Sequence, residues 1–168
     1  RCCSRRQPDP QSRGRRHTLR RRNHASPSRS LGRTSRRDPR DACADYAHDA
    51  DADAIDVPTR HRLHDEETIT VGDVTLGVIH LVGHTPGSLV LTFDDPHGHT
   101  HLFTGDCLFP GGVGRTWSPE DFETLYRGVV EKIFDRYDDD TWIYPGHGDD
   151  TTLGRERPSL DEWWERGW

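Results

Sequence analysis

The chain has 168 residues, no methionine, a net charge of −6, and 31% charged against 30% hydrophobic residues. No apolar run approaches the roughly 18 residues of a membrane span, and no apolar stretch follows the basic start as a secretory signal requires. Cys2, Cys3, Cys43 and Cys107 form neither a disulfide framework nor a Cys-x-x-Cys zinc ribbon, so a soluble protein of a reducing cytoplasm is expected.

The charge is split. Residues 1–40 hold 14 Arg against Asp9 and Asp38, a net +12, while residues 41–168 carry a net −18. The first stretch has only five apolar side chains, too few to offset the cost of ordering its backbone. Residues 1–43 are therefore expected to be disordered, or to be an out-of-frame reading, because they open on Arg1 and are rich in Arg, Ser and Pro. A basic arm on nucleic acid is the functional alternative, disfavoured because no aromatic interleaves the arginines. The acidic remainder, with Asp138-Asp139-Asp140 and Asp149-Asp150, suits a hydrated surface that repels nucleic acid.

Residues 44–168 read as the folded part. Residues 41–66, with Tyr46-Ala47-His48 and an Asp/Ala run, stay open between a strand leading to a short helix and a loop. Thr68 to Val71 and Val74 to Leu81 alternate around the turn Gly72-Asp73 and predict a hairpin. Leu89 to Phe93 and Thr100 to Thr104 predict a second, across Asp94-Asp95-Pro96-His97-Gly98. Ser118-Pro119-Glu120-Asp121 is a helix start, with a hydroxyl cap, Pro at the first helical position and acids in the first turn. Phe122, Leu125, Tyr126, Val129, Val130, Ile133 and Phe134 then form one apolar stripe of about four turns. Residues 141–144 predict a strand, and Arg157 to Trp168 a final amphipathic helix.

Three Gly-rich turns each follow a short apolar run and each carry one metal-capable side chain: Gly83-His84-Thr85-Pro86-Gly87-Ser88, Thr104-Gly105-Asp106 and Pro145-Gly146-His147-Gly148. Two imidazoles and a carboxylate suit borderline divalent ions such as zinc, ferrous iron or manganese. His97-Gly98-His99-Thr100-His101 looks like a chelate, but a Pro/Gly/Asp turn normally faces solvent, so it is set aside. His61 and His64 are expected on the surface, and Cys107, alternating away from Asp106, in the core.

These three motifs, in this order and spacing, resemble the second, third and fourth metal motifs of the metallo-beta-lactamase superfamily. Leu108-Phe109 and the stretch from Gly111 to Thr116 look most like its glyoxalase II-like hydrolases. The resemblance covers roughly residues 44–168. It implies a mixed α/β fold, a four-layer αββα sandwich with its N-terminal half incomplete or replaced. It implies His84 on a first metal, His147 on a second and Asp106 bridging both, with two zinc ions in an intact site and iron or manganese as substitutes. Asp106 is then also the catalytic carboxylate, and the implied reaction is cleavage of a small-molecule thioester of hydroxyacylglutathione type by a metal-bound hydroxide. A thiolate leaving group needs no strong general acid, which agrees with the lack of a serine elbow.

The family's His-x-His-x-Asp-His motif is absent; His17 and His24 have the wrong spacing. Weak metal binding and little hydrolysis by this chain are expected. The alternatives are a persulfide dioxygenase with a single ferrous iron, whose members tend to carry Arg-Thr-Asp-Phe where this chain has Arg115-Thr116-Trp117-Ser118, and an inactive fragment with a basic nucleic-acid-binding arm. Neither a membrane nor a nucleic-acid partner is expected, and the oligomeric state is left open.

Overall fold

The computed structural model describes residues 44–56 and 58–167. The expectation for residues 1–43 lies outside the described residues. In chain order come β1 (Tyr46–His48), α1 (Asp49–Ala52), β2 (His61–Leu63), β3 (Thr68–Val71), β4 (Val74–His80), β5 (Leu89–Asp94) and β6 (Thr100–Gly105). Then follow β7 (Leu108–Phe109), β8 (Gly112–Val113), α2 (Pro119–Val129), β9 (Trp142–Pro145), β10 (Thr151–Thr152), α3 (Leu153–Glu156) and α4 (Leu160–Arg166).

The principal sheet has six strands in the order β10-β9-β6-β5-β4-β3. Both expected hairpins form: β3 pairs with β4 around Gly72, whose φ of 64° needs a residue without a Cβ penalty, and β5 pairs with β6. All neighbours are antiparallel except β6 and β9. A parallel pair requires a crossover, and α2 supplies it. The ambiguous region 41–66 resolves, where described, into the parallel pair β1-β2 with α1 between them.

One face of the sheet packs on helices. Leu81, Val90, Leu102 and Ile143 meet Leu125, Val129, Ile133 and Phe134 of the α2 segment and Trp163 of α4. Each such fully buried side chain contributes about 1.5–3 kcal/mol relative to exposure. The opposite face gathers Leu63, Ile69 and Val78 with the half-buried Leu76, Leu89 and Leu91. The described residues thus supply one helical layer on one main sheet, the αβ portion of the expected sandwich.

The Ser118 hydroxyl accepts from the Asp121 N–H at 3.1 Å, as a helix cap does. The stripe continues through a π-helical turn, Val130–Phe134, so the predicted four turns form with a wider last one. The single final helix expected from Arg157 is corrected. Helix begins earlier, at Leu153, passes through a 3-10 turn over Arg157–Ser159 and continues as α4 to Arg166. Pro158 lacks the N–H that a continuous helix would need there. The two-residue strands β7, β8 and β10 are too short for hydrophobic alternation to reveal.

Candidate metal centre

Strands β4, β6 and β9 run in the same direction, because β5 is antiparallel to both β4 and β6 and β9 is parallel to β6. Their C-terminal ends therefore lie on one edge of the sheet, and the three Gly-rich turns emerge there together. The Gly146 N–H donates to the Gly105 carbonyl at 2.8 Å, locking the second turn to the third.

This arrangement brings all three sequence-predicted residues together. His84 Nε2 stands 3.6 Å from Asp106 Oδ2, and His147 Nε2 stands 3.8 Å from Asp106 Oδ1. The carboxylate thus divides its two oxygens between two imidazoles. His84 Nδ1 lies 2.8 Å from the Arg115 carbonyl, which can only accept, so Nδ1 carries a hydrogen and Nε2 is the ring atom turned toward Asp106. Among the described residues no three His, Cys, Asp or Glu side chains close around a single point. His84, Asp106 and His147 are the side chains here whose donor atoms could hold metal.

Asp106 fits here only because two neighbouring residues are glycine, one beside its main-chain carbonyl and one beside its carboxylate. A Cβ on Gly114 would stand 1.7 Å from the Asp106 carbonyl oxygen, and one on Gly146 would stand 2.6 Å from Asp106 Oδ1. The Gly114 N–H donates to Cys107 O at 3.0 Å and the Thr104 hydroxyl to Leu108 O at 2.8 Å, tying the β7-β8 hairpin beside Asp106. A cavity of about 300 Å³ opens over the three residues, walled by Phe109, Val113, Arg115 and Arg166. The Phe109 ring lies 4.7 Å from the His147 ring, centroid to centroid.

Cys107 is in the core as expected, 1% exposed, and burial pushes its thiol up to about 12. His61 and His64 are exposed. In the histidine-rich turn, His97 faces solvent, while His101 contacts the Tyr144 hydroxyl at 2.9 Å and stacks on Phe93 and Tyr144. Sequence reasoning missed the Arg115 carbonyl, the Arg166 guanidinium that donates to Gly111 O at 2.8 Å, and Asp51. None carries a local signal, since backbone carbonyls and isolated charged residues are everywhere in such a chain.

Among the described residues, no helix is long and apolar enough to cross a membrane. Residues 12–147 match the model of the metallo-beta-lactamase superfamily. The chain is 38% identical over 104 residues to hydroxyacylglutathione hydrolase GloC of Haemophilus influenzae, covering 61% of this chain and 47% of that protein. It is 39% identical over 90 residues to the human mitochondrial persulfide dioxygenase ETHE1, covering 51% of this chain and 32% of that protein. The chain thus spans less than half the length of these two curated relatives. Among solved structures, the BLEG-1 B3 metallo-beta-lactamase superposes with a TM-score of 0.58 at 27% identity, covering 67% of this chain and 61% of that one. The fold, the shared sheet edge and the span of the family match together place this chain in the metallo-beta-lactamase superfamily.

Proposed function

We propose that the chain carries the second half of a dinuclear metal centre of a hydrolase, and that the intact site cleaves thioesters of small thiols, of hydroxyacylglutathione type. The observation that carries this reading is the division of the Asp106 oxygens between His84 and His147. Zinc is the proposed metal, with iron or manganese as substitutes for the same donors. When bound, such ions lower the pKa of a coordinated water and polarise a carbonyl oxygen. His84 would offer Nε2 of a ring hydrogen-bonded to the Arg115 carbonyl, His147 Nε2 of an exposed ring, and Asp106 a negative charge between them. Phe109 and Val113 offer an apolar wall for the acyl group and shield it from water. Among the described residues the set offers two imidazoles and one carboxylate, fewer than three protein ligands for each of two ions, so hydrolysis by these residues alone is proposed to be slow.

The test is release of free thiol from a hydroxyacylglutathione thioester by the zinc-loaded chain. Zinc-dependent release that disappears in Asp106→Ala supports the reading; release that survives Asp106→Ala overturns it. The likeness to a persulfide dioxygenase favours one second reading, a single-iron oxygenase. Oxygen uptake with a persulfide by the ferrous form, without thioester cleavage, would establish that alternative instead.

A further inference from the structure

The loop carrying His84 is held from behind by α1 and by the end of β4. Asp51, on α1, accepts the Thr85 hydroxyl at 2.5 Å on Oδ2 and the Gly87 N–H at 2.9 Å on Oδ1. Ser88 closes the same knot, its hydroxyl 2.6 Å from the Thr85 hydroxyl and 3.0 Å from the Thr85 N–H. The approach is close enough that a Cβ on Gly87 would stand 2.7 Å from Asp51 Cγ. His80 Nε2 contacts the Pro86 carbonyl at 2.8 Å, and the His80 ring stacks on His48 at 3.7 Å. His48 in turn caps α1, its Nδ1 accepting from Ala50 N–H at 3.1 Å. A carboxylate 33 residues before His84 in the chain thus closes on the residue directly following it.

We infer that Asp51 is a positioning residue for His84, clamping the Gly83-to-Ser88 loop so that His84 Nε2 faces Asp106 before any metal arrives. This rests on the reading of His84 as a metal ligand. A carboxylate suits the task because its two oxygens accept from two donors on the same loop at once, while the ligand imidazole on the far side is left to its own Arg115 hydrogen bond. Loss of the clamp leaves the Gly87 N–H and the Thr85 hydroxyl to find water and lets the loop sample other conformations. Part of the free energy of metal binding would then go into ordering it.

The experiment compares the full chain with Asp51→Ala, Asp51→Asn and Thr85→Val. Zinc affinity is read by competition with a chromogenic chelator, and the His84 tautomer of the metal-free chain by two-bond ¹H–¹⁵N NMR correlation. Asp51→Ala should weaken zinc binding by about 10-fold or more and convert a single Nδ1–H tautomer of His84 into an averaged pair. Asp51→Asn, which keeps an amide oxygen for Gly87, should recover most of both. A purely structural role would lower the melting temperature while leaving affinity and tautomer of the folded molecules unchanged, and that result overturns the inference. Were Asp51→Ala not to fold, Thr85→Val decides: it should show the same two changes at smaller size, and no change overturns the clamp. If the unaltered chain binds no zinc, the hydrolase reading fails, while the His84 tautomer in the metal-free chain still decides the role of Asp51.

Discussion

The two imidazoles of the site sit in opposite surroundings. The His84 side chain is 25% exposed, hydrogen-bonded at Nδ1, and carried on a loop pressed against α2, whereas the His147 side chain is 76% exposed and rests against Phe109. Gly83 shows how tightly the first loop is set: at φ 140° its missing Cβ would stand 2.5 Å from Leu125 Cβ and 2.6 Å from Asp121 O. Gly148, beside His147, is also left-handed at φ 83° but faces open space. One imidazole is held against the core, and the other stands exposed.

The largest expected effect exploits that contrast. Gly83→Ala combines strained backbone with contacts against backbone and Leu125 that cannot yield cheaply, and should destabilise the fold by at least about 3 kcal/mol in urea titrations. Gly148→Ala should cost only about 1 kcal/mol, the left-handed strain alone. Equal losses at the two positions would erase the distinction between the loops.

A middle-sized effect is expected on metal affinity. On the proposed reading, His84→Ala removes an imidazole whose orientation is already set and should weaken zinc binding by about 100-fold, whereas His147→Ala should cost about 10-fold or less because ordering that exposed side chain offsets its gain. Isothermal titration of both variants gives the ranking, and a larger loss at His147 would reverse the comparison.

The smallest effect concerns the brace behind β4. Asp65 accepts the His80 N–H at 2.7 Å and Lys132 Nζ at 2.5 Å, and Lys132 also donates to His80 O at 2.9 Å. Burial alone would push the Asp65 carboxyl up, but the His80 N–H and the Lys132 ammonium together hold it below the usual carboxylate range. A carboxylate depressed in the folded state stabilises above its unfolded pKa of about 3.9 and loses that contribution as pH falls through the folded value. Asp65→Asn should therefore cost about 1 kcal/mol at pH 7, discounted for its part exposure, and less at pH 2, below the unfolded pKa. Urea midpoints at both pH values measure it; a cost independent of pH would assign the brace to shape rather than charge.

Local elements were legible where their cause is local. Ser118 and Pro119 announce a helix start because a cap needs only residues within one turn, and Gly72-Asp73 announces a hairpin because a two-residue turn sets its own register. The α2 stripe was legible for the same reason, since Leu125, Val129 and Ile133 are all fully buried where the period places them. Less visible was the end of the chain, where Pro158 splits what amphipathicity alone reads as one helix. Asp51 was invisible: its partners Thr85 and Gly87 lie 34 and 36 residues away, and nothing about an Asp in an Asp/Ala run marks a distant loop as its target.

Sequence alone identified His84, Asp106 and His147 as metal-capable residues on glycine turns, because residue chemistry and turn propensity are properties of short segments. That these turns meet was decided by tertiary structure. It depends on β9 entering beside β6 in parallel, after a helical crossover, rather than returning antiparallel as every other neighbouring pair in the main sheet does. Had β9 run the other way, Pro145-Gly146-His147 would leave from the opposite edge of the sheet, and Asp106 would face one imidazole. Strand direction across a separation of some forty residues is set by how α2 packs its apolar stripe on Leu81, Val90, Leu102 and Ile143, a choice made by the assembled core.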